Sequence, residues 1–395
     1  MNQSGNSGAE SYRHPSAARP KRRWSLLQRI LVRLGLLTGA ALFAIALCEL
    51  ALWVVAPIPW HEWAIWVPEG HITGRYMPNQ EIKTASGHVF RVNKHGFRGP
   101  DYTFEKASGT LRIEIFGGSA ALCYKSAGRQ KSWPGALELK LQERLNMPVE
   151  VINLALAGFT SFKSKINYLC FGRAFNPDAI IVYHTWNDIS RFRELETVPY
   201  IPQGMPKNWP LWARFARATQ LGRRVRMAEF IFQGRRYDII ARPMEGTGEG
   251  FDRPITPRAW DWVRQNYEDI TRFANADGVL PILVTQAGLA SRDNIDDPEV
   301  AHHMGAMSRG VTLPLAVDTW LRINEIIETV AREQNALFVD GYNTVPHDLK
   351  HIRDNVHLFD EGSEVLAEEI ARVLLDDERF LALVARVRAE VGPRP

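Results

Sequence analysis

The sequence predicts a three-layer α/β/α fold on a five-stranded parallel sheet, preceded by one N-terminal transmembrane helix. Three observations carry this reading. Five short runs, LRIEIFG (111–117), VEVINL (149–154), AIIVYH (179–184), VLPILVT (279–285) and ALFVD (336–340), are apolar without alternation, as strands buried on both faces are. Helical patterns lie between them, and repeated β-then-α order favours parallel strands covered by helices on both sides. Ahead of them all, residues 34–58 form an apolar stretch without Lys or Arg.

In chain order, residues 1–33 are a basic head, with Arg13, Arg19, Lys21, Arg22, Arg23, Arg29 and Arg33 against Glu10. Its Ser, Gly, Asn and Pro content is that of disordered chain. The overall charge of +4 is therefore local, and it gives no reason to expect nucleic acid. As a helix, residues 34–58 would extend about 37 Å, enough for a hydrocarbon core of about 30 Å. The head lies before this span, and Trp53, Trp60, Trp63 and Trp66 lie towards its far side. The positive-inside rule then puts the N-terminus in the cytoplasm and everything after residue 60 outside, in the periplasm if the cell is Gram-negative.

The apolar region is too long for a cleaved signal peptide, and Leu47 stands before Cys48 where a lipoprotein signal needs a small residue. A retained single-pass anchor is expected, with Glu49 either protonated or snorkelling to the interface. The three cysteines, Cys48, Cys123 and Cys170, are too few for a disulfide scaffold, and no CxxC pair suggests zinc. Cys123 and Cys170 read as two ordinary buried thiols, their pairing left open.

Residues 59–110 are a lead-in: YMPNQ (76–80), then GHVFRVNKHGFRGPDY (87–102), a short strand and a turn at Lys94-His95-Gly96. The main domain covers 111–380. Its helices are expected at 133–145, near 162–174, and at 257–276, 319–334 and 361–375, with residues 381–395 as a tail. Residues 190–256 interrupt the alternation as a lid-like insertion that includes RRVR (223–226), and a second long loop spans 286–317. Trp209, Trp212 and Trp260 fall in or beside the insertion and could stack on sugar rings, although core packing is commoner for Trp.

Ligands of such sheets bind at the carboxyl ends of the strands, and each end offers chemistry here. The first run ends in Gly117-Gly118-Ser119, where two glycines permit a tight turn and put the serine at a helix start. By itself this fits an N-cap as well as a nucleophile. The second run leads to Gly158, which can present an unobstructed backbone N–H, and the third to Asn187, a side-chain amide. After the fifth come Asp354 and His357, three apart, so that a carboxylate could hold an imidazole while its other nitrogen faces a serine.

Together these residues resemble the four blocks of the SGNH hydrolase (GDSL-like) superfamily: Ser119, then Gly158, then Asn187, then Asp354 with His357. Tyr76-Met77-Pro78-Asn79 and Asn93 to Gly99 also resemble the lead-in of its membrane-anchored bacterial members. Gly118 replaces the aspartate of the family's Gly-Asp-Ser signature, and Thr185-Trp186 stand where many members have a glycine. The resemblance implies a flavodoxin-like SGNH fold and a serine esterase with Ser119 as nucleophile, His357 as base and Asp354 as its acid. It further implies an oxyanion hole from the N–H groups of Ser119 and Gly158 and the Asn187 amide. Such acyl transfer needs neither cofactor nor metal, and Asp296, Asp297, Glu299, His302 and His303 read as an exposed polar loop. The expected substrate is an acylated carbohydrate, such as an exported polysaccharide, with polysaccharide-export proteins as partners. The alternatives are a lipid ester reached from the bilayer, or a non-catalytic SGNH-fold binding protein of polysaccharide assembly.

Overall fold

Strand β1 (Leu111–Gly117) is buried at every position and pairs along both edges. Its neighbours are β2 (Val149–Asn153) and β3 (Ala179–His184), and β4 (Leu280–Thr285) and β5 (Leu337–Val339) follow beyond β3. The order is β2-β1-β3-β4-β5, with every pairing parallel. The chain steps outward from β1 to β2, then crosses back to β3. That reversal makes the carboxyl ends of β1 and β3 the topological switch point, where a crevice opens in sheets of this kind. The computed structural model describes residues 25–55, 66–67, 74–76, 78–83, 89–123, 125–126, 128–189, 192, 219–222, 224–225, 255–305 and 312–390. Most of the insertion 190–256, including Trp209 and Trp212, lies outside the described residues.

The chain divides into two units, Met1–Pro57 and Ile58–Pro395. In the first, helix α1 (Leu26–Val55) has mean hydropathy 2.2 over its most apolar stretch and no buried residue. It is long and apolar enough to cross a membrane, a test that a signal sequence also passes. It starts ahead of residue 34, so Arg29 and Arg33 lie on its first turns. Glu49 accepts a hydrogen bond from Trp53 Nε1 at 3.0 Å, one helical turn on.

In the second unit, α2 (Ser119–Leu122) follows β1, and α3 (Trp133–Leu145) packs on β2. Next come α4 (Ser161–Cys170), α5 (Pro257–Ala276), α6 (Pro298–Gly305), α7 (Leu313–Glu333), α8 (Gly341–Thr344), α9 (Asp360–Asp376) and α10 (Glu378–Ala389). Helices α4, α5 and α7 adjoin in turn and pack on β1, β3, β4 and β5, while α3 and α9 pack together against β2 and β5. Three layers result. The loop expected at 286–317 contains α6, whose start is capped by Asp297 Oδ1 accepting from Glu299 N at 2.8 Å. The residues expected as a tail continue through most of α10, because Phe380, Leu383, Val384 and Val387 recur at helical spacing and are buried.

Within β1, Glu114 is wholly buried, and burial pushes its carboxyl well above the usual range against the nearby Arg112 charge. Cys123 is buried as expected, whereas Cys170, near the end of α4, is exposed.

The lead-in forms an antiparallel hairpin of Gln80–Lys83 with Val89–Val92. Asn93 organises the turn that follows: its Oδ1 accepts from His95 N at 2.9 Å and Phe97 N at 3.1 Å, and its Nδ2 donates to the Pro100 carbonyl at 3.0 Å. Gly96 is left-handed, and a Cβ there would lie 2.4 Å from the Tyr76 carbonyl oxygen. The turn delivers Arg98 to the sheet edge, where it bridges Asn153 of β2.

Candidate active site

Ser119 is the first residue of α2, a single helical turn. A Cβ on Gly118 would lie 2.4 Å from Asn187 Nδ2, so the missing side chain lets the β3 loop close over the serine. The same crowding gives a local reason for glycine where the family signature has aspartate. One turn of helix is weak by itself, and distant side chains hold it. Arg98 Nη1 donates to the Leu122 carbonyl at 2.7 Å and also to that of Cys123, whose φ of 54° ends the helix. Asn153 Nδ2 donates to the Ala121 carbonyl at 2.8 Å. Three carbonyls left open at the helix end are thereby satisfied from β2 and the lead-in.

The loop after β5 carries the imidazole. An Ile352–Leu358 bridge and an Arg353 N to His357 carbonyl bond of 2.8 Å close it into a tight hairpin. Asp354 Oδ1 accepts from Val356 N at 3.1 Å and His357 N at 3.0 Å, fixing the carboxylate against its own backbone. Both its oxygens lie 2.8 Å from His357 Nδ1, and His357 Nε2 lies 2.9 Å from Ser119 Oγ. With the proton assigned to Nδ1 by the carboxylate, Nε2 is left to accept from the serine hydroxyl. Burial alone would raise the Asp354 carboxyl, but the facing imidazole and the Lys125 ammonium hold it well below the usual carboxylate range. It is therefore charged at any working pH.

Asn187, just beyond β3, donates from Nδ2 to the Phe159 carbonyl at 2.8 Å. An amide nitrogen carries two protons, and Phe159 takes one. Gly158 is left-handed at φ 74°, and its N–H donates to no acceptor among the described residues. The Ser119 N–H, at the first turn of α2, likewise has no backbone acceptor there. Ser119, His357 and Asp354 are thus joined by hydrogen bonds, Asn187 lies against Gly118, and Gly158 directly precedes Phe159, whose carbonyl Asn187 binds.

Three supporting residues were given no role in the sequence reading. Lys125 Nζ lies 2.8 Å from Asp354 Oδ2. Asn355, with its amide turned so that Nδ2 faces Asp354 Oδ1 at 3.1 Å, accepts from Trp186 Nε1 at 2.9 Å. Trp186 is in turn fixed by a 2.8 Å bond from its N–H to Gln286 Oε1 and by Trp320, with ring centroids 5.7 Å apart. The Asp-Asn-Val-His block contained Asn355, so that neighbour could have been suspected, but nothing in the sequence pairs Lys125 with a residue 229 positions away. Among the described residues no group of His, Cys, Asp and Glu is placed to hold a metal ion.

Sheet order and strand-end chemistry together define a three-layer α/β/α fold with a serine, a histidine and an aspartate in hydrogen-bonded sequence beyond the strands. No family model and no curated protein matches the chain. Among solved structures it is similar to an acetylxylan esterase from Geobacillus stearothermophilus, at 14% identity over 67% of this chain and 93% of that one, with a TM-score of 0.41. It is also similar to a GDSL-like lipase from Bacteroides thetaiotaomicron, at 13% identity over 66% and 86% of the two chains, with a TM-score of 0.38.

Proposed function

We propose that the protein is a membrane-anchored serine esterase or O-acyltransferase that works on acyl esters of carbohydrate. One observation carries the reading: a serine hydroxyl 2.9 Å from an imidazole whose other nitrogen is held by a half-buried, charged carboxylate. In the mechanism, Ser119 Oγ attacks the ester carbonyl as His357 Nε2 takes its proton, and Asp354 stabilises the imidazolium. The oxygen of the tetrahedral intermediate turns towards the N–H groups of Ser119 and Gly158 and the Asn187 amide. His357 then returns the proton to the departing sugar oxygen, leaving an acyl-serine. Water or a second hydroxyl, deprotonated by His357, releases the acyl group by the reverse steps.

Carbohydrate is favoured over lipid by the resemblance of the lead-in, Tyr76 to Asn79 and Asn93 to Gly99, to anchored family members that serve polysaccharide acylation. Helix α1, with the basic head before it, supports a retained anchor with the second unit outside the cytoplasm.

Full-length protein in detergent should hydrolyse a short-chain aryl acetate, and Ser119→Ala should abolish that activity. Equal rates in the two proteins would remove Ser119 from the chemistry. Comparing the acetylation of surface glycans with and without the protein tests the substrate class.

A further inference from the structure

Lys125 stands just past the end of α2, where the chain turns away from the serine. Its Nζ lies 2.8 Å from Asp354 Oδ2, and the same oxygen lies 2.8 Å from His357 Nδ1. One carboxylate is therefore shared by an ammonium and an imidazole. The Lys125 and Asp354 side chains are only 25% and 18% exposed, so solvent screens the pair less than it would at the open surface. The other groups around Asp354 can be named. Asn355 and Trp186 are neutral, Arg353 packs its guanidinium over the Phe359 ring at 4.5 Å, and His351 is bound to Asp348 at 2.7 Å. Among the described residues, Lys125 is the cation that touches Asp354 from another element.

We propose that Lys125 is a positioning residue that holds the second oxygen of Asp354 and offsets its charge, setting the acid limb of the esterase. The proposal rests on the serine-esterase reading above. A carboxylate stabilises the imidazolium that forms when Ser119 gives up its proton, and a shared carboxylate stabilises it less. Removing the ammonium should therefore tighten the carboxylate's hold on the imidazolium. The ion pair also ties the exit of the nucleophile's helix to the loop that carries the acid and the base.

The test uses the full-length protein in detergent micelles, as wild type, Lys125→Met, Lys125→Gln and Lys125→Arg. The pH dependence of kcat/KM on an aryl acetate is measured beside an NMR titration of the His357 Cε1–H, assigned by its absence in His357→Gln. Both neutral variants should move both midpoints upward, by about one pH unit, while Lys125→Arg stays near wild type. Scaled activity with unmoved midpoints would overturn the proposal and leave Lys125 a packing role. The NMR titration separates the two readings. A shifted midpoint in a protein without Ser119-dependent turnover sinks the esterase and keeps the ion-pair effect. An unshifted midpoint in an active enzyme does the reverse.

Discussion

Two serine–histidine pairs sit in this domain, and they have little in common beyond distance. Ser119 Oγ lies 2.9 Å from His357 Nε2, and Ser164 Oγ lies 2.7 Å from His184 Nε2. His357 has a charged carboxylate on its far nitrogen, and its serine is partly exposed. His184 has no carboxylate partner among the described residues, and both members of its pair are buried. Burial pushes the His184 imidazole down to about 3, so it stays neutral and serves as a hydrogen-bonding core residue at the end of β3. On the proposed mechanism, a short serine–histidine contact is not enough for nucleophilic chemistry. A compensating charge and a way in for substrate are also needed.

The largest test of that contrast exchanges the serines. Ser119→Ala should cut turnover on the order of 10⁴-fold or more, as removal of a serine nucleophile does elsewhere. Ser164→Ala should leave the rate essentially unchanged. A comparable loss in both would mean that the buried pair takes part, and the contrast would collapse. Next in size is Asn187→Ala. It removes one oxyanion donor of the proposed mechanism and should lower kcat about 10²–10³-fold with little change in melting temperature. A kcat within error of wild type would leave the oxyanion to the two backbone N–H groups.

The smallest effect concerns stability, and it isolates the buried histidine. Unfolded, His184 binds a proton near its ordinary 6.5, whereas folded it refuses one until about 3. The unfolded state therefore holds more protons in this window, and stability falls as pH drops from about 6.5 towards 3. The slope from this residue is at most about 1.4 kcal/mol per pH unit. His184→Gln should flatten denaturant-measured stability across that range relative to wild type. An unchanged slope would show that other groups dominate acid unfolding.

The parts of the site differ in how far the sequence reveals them. The Asp354–His357 hairpin is held by bonds between residues at most a few positions apart, so its spacing could be read directly. The Ser119 turn is held from a distance. Arg98 and Asn153 reach its carbonyls across 24 to 32 residues, and Gly118 is needed because Asn187 lies against it. Sequence order says nothing of such contacts, and the pattern Gly-Gly-Ser alone stayed ambiguous. Element ends moved for related reasons: α7 begins at Leu313 and α10 extends the fold because tertiary burial rewards those turns.

Sequence alone determined the sheet. An unbroken apolar run can be satisfied only inside, and its alternation with helical periods leaves few arrangements besides parallel strands between two helical layers. It also determined which chemical groups stand at the strand ends, since these are set by position along the chain. Tertiary structure alone decided which of them meet. The 238-residue span between Ser119 and His357 closes to a hydrogen bond only because β1 and β5 belong to one sheet. It also decided which charges tune the meeting, since Lys125 and Asp354 interact through space.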